Sequence, residues 1–234
     1  MNSAQTADLV EATTCTVPGV RSDVLTAERP TWRGMFHTWA FWLALPAGVL
    51  LIVFADRPAT RTAASIYAAT LLLVFGTSAG YHRLAKTYRQ RQIMQRLDHS
   101  MIYLLIAGTY VPICLVALPA SWGIPMLAVV GGLGLIGVVL KAVAFRRLQW
   151  VSYALYPTMG WVAVIASPVL VSHTTPLQLG LIVGGGVAYT AGFPVLLLRR
   201  PDPWPSVFGY HEIWHGCTVV AAALHFGAVA LVVA

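Results

Sequence analysis

The chain has 234 residues, of which 58% are hydrophobic and only 10% charged, with a formal net charge of +7. An ordinary soluble domain carries roughly 25% charged residues, so a water-soluble core is excluded and lipid must be the solvent for most of the chain. The positive surplus does not point to nucleic acid, because the basic residues fall in short loops between apolar runs and form no aromatic-interleaved patch.

Residues 1–33 are polar, with Asp8, Glu11, Asp23 and Glu28 offsetting a few arginines, and hold no apolar run of signal-peptide length. They are expected to form a disordered cytoplasmic tail, leaving 34–234 as one transmembrane domain. A spanning helix needs about 20 predominantly apolar residues. Seven segments qualify, at 34–55, 62–82, 98–118, 122–144, 150–171, 176–198 and 210–233. The predicted fold is therefore all-α, a polytopic membrane protein of seven transmembrane helices.

Orientation follows from the loop lysines and arginines. Arg21, Arg29 and Arg33 precede the first span. Arg83, Lys86, Arg89, Arg91 and Arg96 follow the second, Lys141, Arg146 and Arg147 close the fourth, and Arg199 and Arg200 follow the sixth. The opposite side has only Arg57 and Arg61, a ratio of 13 to 2. The N-terminus is accordingly expected in the cytoplasm and the C-terminus outside.

In chain order, the second span ends on Ser78 and His82, one helical turn apart. The third opens on Asp98, with His99 beside it. The fourth carries Gly131, Gly132, Gly134 and Gly137, and the sixth Gly184, Gly185 and Gly186, which read as close helix packing. Gly132–Gly137 matches a dinucleotide fingerprint by letter only, since no strand precedes it. The seventh span opens on His211-Glu212-Ile213-Trp214-His215. Cys15, Cys114 and Cys217 suggest neither a disulfide framework nor a thiolate metal site.

Ionisable groups inside a membrane segment are costly and are functional candidates by default. Residues four apart share a helix face, so His211 and His215 can aim two imidazoles at one ion. Ser78, His82, Asp98, His211 and His215 all fall at the cytoplasmic ends of their spans, hence at one depth. Asp98 alone also fits an N-cap of the third span, and Ser78 a hydroxyl bonded back to its own helix. His99 points about 100° away from Asp98 on a helix and is placed outside the ligand set. His225 reads as a packed, helix-bridging residue, and His37 and His173 as bystanders near span ends.

The pattern Ser78-x-x-x-His82, Asp98-His99-Ser100 leading into Ile106-Ala107-Gly108-Thr109-Tyr110-Val111-Pro112, and His211-x-x-x-His215 resembles the bacterial haemolysin III family. That family is related to the progestin and adiponectin receptors and, more distantly, to alkaline ceramidases. The resemblance spans 34–234. It implies that His82, His211 and His215 bind zinc, that Asp98 contacts the water on the zinc and that Ser78 completes the site, in a bacterial cytoplasmic membrane.

Two activities fit such a site: metal-dependent hydrolysis of a lipid amide or ester, with membrane lipids as partner and substrate source, or a receptor-like or homeostatic role in which zinc is structural. The string 211–215 also fits HExxH, in which Glu212 would be the base of a zinc protease. No acidic residue follows Glu212 to supply a third ligand, which favours His82 upstream. A pore finds least support, because no span carries a repeating polar stripe.

Overall fold

A computed structural model describes residues 29–234 apart from Arg146. The tail expected over 1–33 thus lies mostly outside the described residues. Its last part, from Arg29, packs back on the bundle: Thr31 and Trp32 donate their backbone N–H groups to the carbonyls of Ser206 and Val207, both at 3.1 Å.

Among the described residues, eight α-helices build seven apolar crossings and there is no strand. They are α1 (Met35–Val53), α2 (Pro58–Arg83), α3 (Tyr88–Pro112), α4 (Ala120–Val143), α5 (Gln149–Trp161), α6 (Ser167–His173), α7 (Pro176–Leu198) and α8 (Tyr210–Val233). The chain is an integral membrane protein whose crossings match the expected seven in number and order.

The largest difference is in α3, which starts ten residues before the predicted 98. Residues 88–97 are too polar to read as lipid-facing, yet a capping box starts the helix there. Gln90 N–H donates to the Thr87 hydroxyl at 3.2 Å, and Thr87 N–H donates to Gln90 Oε1 at 3.1 Å. Asp98 therefore lies well inside α3, and its N-cap reading falls. Arg89, Arg91 and Arg96 sit on this polar extension instead of in a loop.

Prolines shape the other irregular places. Pro112 closes α3 and a π-helical turn, Ile113–Ala117, follows it. The fifth crossing is α5, a 3-10 turn over Val162–Ala166, then α6. Pro168 cannot donate a backbone bond and crowds the preceding turn, so the regular ladder cannot run through it. Freed backbone groups in lipid must find partners within the protein. At the switch from α5 to the 3-10 turn the Tyr110 hydroxyl serves such groups, 2.9 Å from the Met159 carbonyl and 3.0 Å from that of Gly160, while accepting from Ala163 N–H at 3.0 Å.

Helices α1, α2 and α3 pack side by side, α4 follows on α3, and α8 lies between α7 and the α1–α3 group. The shared core is built from small and branched residues, among them Ala40, Ala44, Ala64, Leu71, Ala222 and Val229. Small side chains allow the close approach by which membrane helices associate. Trp42, Leu43, Val53, Leu135 and Ile165 are exposed on the outside, where lipid covers them. The outcome that matters for function is that the ends of α2, the middle of α3 and the start of α8 meet at one end of the bundle.

Candidate metal centre

His82 is set on the last turn of α2, and His211 and His215 on the first turns of α8. Because 211 and 215 are one turn apart, both imidazoles lean to the face that packs on α2. The three side chains each present a ring nitrogen, and these atoms lie within 4.8 Å of one another. The Nε2 atoms of His82 and His211 are 3.2 Å apart. Two nitrogens bound to one tetrahedral ion at about 2.0–2.1 Å would be separated by about 3.3 Å, so this spacing suits a shared ion. The rings of His82 and His215 are 5.0 Å apart and those of His211 and His215 4.5 Å, which closes the triangle.

Three neutral imidazoles are the donor set of an open tetrahedral site, with a fourth position left for something other than protein. The residues present therefore fit a metal ion, and these three histidines could hold one.

Ser78 is buried one turn before His82 on α2, and it faces the buried Asp98 carboxylate of α3. Asp98 is not part of the converging ligand group. The Ser78 hydroxyl is enclosed and does not bond back to its own helix; the group it faces is the Asp98 carboxylate.

His37, read from the sequence as a bystander, stands against the site. Its ring stacks on that of His215 with centroids 3.8 Å apart and 3° between planes, and its Nε2 is 2.9 Å from Thr218 Oγ1. It fixes the plane of the His215 imidazole. The sequence offered no signal, since His37 has no histidine one turn away on α1 and meets His215 only across helices.

A second contribution comes from the segment leading into α1. Arg33 Nε lies 2.7 Å from Glu212 Oε1, and the other carboxylate oxygen accepts from Gly209 N–H at 2.8 Å. Glu212 is fully enclosed. One Arg29 nitrogen donates to the carbonyls of Tyr81 at 3.0 Å and His82 at 2.7 Å. Burial, then the nearby Arg91, lower the Arg29 guanidinium from its ordinary value. Gly34 turns the chain into α1 with φ of 79°, and a Cβ there would stand 2.6 Å from His82 Cβ. Only glycine permits both that backbone and that contact.

His99 is outside the converging ligand group and stacks on Phe145, with ring centroids 5.3 Å apart. His225 Nε2 bonds the Ile182 carbonyl at 3.1 Å and bridges α8 to α7. His173 is exposed at the end of α6, bonded to its own turn.

The sequence profile of the family described as Haemolysin-III related matches residues 25–226. The chain belongs to the haemolysin III family. It is 30% identical over 193 residues to a hemolysin-3 homolog of Bacillus subtilis (strain 168), covering 81% of this chain and 87% of that one. It is 30% identical over 187 residues to hemolysin-3 of Bacillus cereus, covering 79% and 82%. The haemolysin III match takes in all five residues singled out in the sequence and the arginine segment before α1.

Proposed function

We propose that this protein holds zinc on His82, His211 and His215 at the cytoplasmic end of its bundle, in a bacterial inner membrane, and hydrolyses an amide or ester bond in a lipid. The observation that carries the proposal is the convergence of three imidazole nitrogens on one point, with the buried Ser78 one turn from His82 and the buried Asp98 carboxylate facing it. Bound zinc would supply Lewis acidity toward a carbonyl and make water acidic near neutral pH. Asp98 would orient a water molecule at the site, take its proton and return it to the departing amine nitrogen or alcohol oxygen. Ser78 donates a hydrogen bond to the oxygen that gains negative charge as the carbonyl is attacked, the position where a preorganised donor has most effect.

A lipid substrate is supported by an apolar crevice of about 480 Å³ between α1 and α2, walled by Phe41, Leu72, Leu73, Gly76 and Thr77, which offers room for an acyl chain on the stretch of α2 that leads to Ser78 and His82.

The HExxH protease reading is disfavoured by Glu212 itself. Its carboxylate is engaged by Arg33 on one oxygen and by Gly209 N–H on the other, so it is not free to act as a base. The second reading, a structural zinc in a receptor-like or homeostatic protein, draws on the ligands coming from two helices far apart in sequence, because a metal bridge contributes directly to folding free energy.

The test is metal content of the purified protein together with release of fluorescent fatty acid from amide- and ester-linked lipids. About one zinc per chain is expected, lost in His82→Ala, His211→Ala and His215→Ala. Asp98→Asn retains zinc and loses turnover under hydrolysis. Zinc retained with no turnover in the wild-type protein on either linkage overturns hydrolysis and leaves the structural reading; metal unaffected by His82→Ala overturns the site.

A further inference from the structure

A second polar cluster lies between α3, α4 and α5, away from the histidine triangle. Lys141 is fully buried on the last turn of α4, and its ammonium has no hydrogen-bond partner. It is boxed by aromatic rings, 5.0 Å from the centre of Phe145, 4.8 Å from Tyr153 and 5.8 Å from Tyr156. His99 closes the same box by stacking on Phe145, and its enclosed Nδ1 also lacks a partner.

Among the described residues no carboxylate pairs with Lys141, although Asp98 is near enough to Tyr156 to act on it electrostatically. The acidic residues among the described residues are Asp56, Asp98, Asp202 and Glu212. Asp56 pairs with Arg57, Asp98 faces Ser78, Asp202 accepts from Tyr210 N–H, and Glu212 pairs with Arg33. Aromatic faces attract a cation but do not neutralise it.

Directly outside Phe145, a crevice of about 230 Å³ opens between α3 and the end of α4, lined by Gln92, Gln95, Arg96, Arg147 and the same Phe145. The Arg96 guanidinium is held over the end of α4 by its bond to the Ala142 carbonyl at 3.1 Å. Two arginines and two amides thus line a crevice backed by a buried ammonium. Around it Ile93, Val143 and Trp150 are exposed apolar side chains on the lipid side.

We propose that this crevice binds a phosphate-bearing anion, with Arg96 and Arg147 contacting the phosphate oxygens, Gln92 and Gln95 donating from the amides, and Lys141 adding charge from behind Phe145. Planar guanidinium groups suit phosphate by paired hydrogen bonds, and basic pockets between membrane helices suit anionic headgroups. The same chemistry is offered by the phosphodiester of an anionic lipid and by free phosphate in water. The proposal does not depend on the zinc site, which lies on α2 and α8.

The experiment is native mass spectrometry of the full chain in detergent, titrated with dioctanoyl phosphatidylglycerol, with dioctanoyl phosphatidylcholine, and with phosphatidylglycerol in the presence of inorganic phosphate. Phosphatidylglycerol is expected to be retained over phosphatidylcholine, and Arg96→Gln/Arg147→Gln to weaken it roughly 30-fold, taking each surface arginine at about 1 kcal/mol. Arg96→Lys/Arg147→Lys should recover much of the loss, which a merely structural defect would not. Displacement by inorganic phosphate at millimolar concentration supports the site and identifies the soluble anion as its ligand; no displacement supports the lipid headgroup. Equal retention of both lipids, or retention unchanged by the double glutamine variant, overturns the proposal. The thermal midpoint in detergent serves as the folding control and is expected to be the same in every variant.

Discussion

Two clusters of titratable groups are buried in this protein, and they solve the cost of burial in opposite ways. In the first, on α2 and α8, three imidazoles turn their nitrogens inward until they lie within 4.8 Å, and neighbouring groups hold that convergence: His37 stacks on one ring and Arg29 bonds the carbonyl of another ligand residue. In the second, on α3, α4 and α5, a single ammonium is surrounded by ring faces and meets no acceptor. Converging lone pairs invite a cation, whereas a wrapped cation leaves positive charge to be answered from outside. The positions of the donors, more than the identity of the residues, separate a metal centre from an anion-attracting cluster.

Breaking each cluster at its support should separate them further. The largest expected effect is Arg33→Ala, which strips the partner from a fully enclosed carboxylate. Removing one member of a buried pair costs about 3–5 kcal/mol, so a pronounced fall in thermal midpoint is expected in detergent. Arg33→Met/Glu212→Gln, which removes both charges, should recover most of it; an unchanged midpoint in Arg33→Ala would show that the pair does not anchor the segment before α1.

Next is Gly137→Ala in the second cluster. A Cβ at 137 would run into the ring of Tyr103, which stacks on Tyr156 at 4.5 Å. Overpacking of this kind costs about 1–3 kcal/mol, and the midpoint should drop while zinc content stays constant. Loss of zinc in this variant would mean that the two clusters are not separate.

His37→Ala comes third. Groups that orient a metal ligand typically contribute about 10- to 100-fold in affinity, and a chelator competition should read a loss in that range. His37→Phe keeps a stacking ring but loses the bond to Thr218. Recovery of affinity by Phe assigns the effect to stacking, and failure to recover assigns it to the hydrogen bond.

The smallest effect is expected from Lys141→Met, since a flexible apolar side chain of similar length fills the aromatic box without a buried charge. The midpoint should move by less than about 1.5 kcal/mol, in either direction. A strong destabilisation would show that the ammonium is held by more than ring faces.

The sequence by itself determined the number and order of the crossings, because apolar length is a local property that lipid enforces. It also singled out His82, His211 and His215, since titratable groups stand out within apolar runs and a four-residue interval defines a helix face. It placed the start of α3 too late, because Tyr88–Leu97 is helical by capping and propensity although too polar to read as a span. Tertiary structure alone decided that His37 faces His215, that Glu212 is occupied by Arg33, and that Lys141 is enclosed by two rings of α5 and one of the turn between α4 and α5. Each of these is a contact between elements distant in the chain, set by which faces α1, α4, α5 and α8 turn toward one another. Periodicity along a single helix carries no record of that choice.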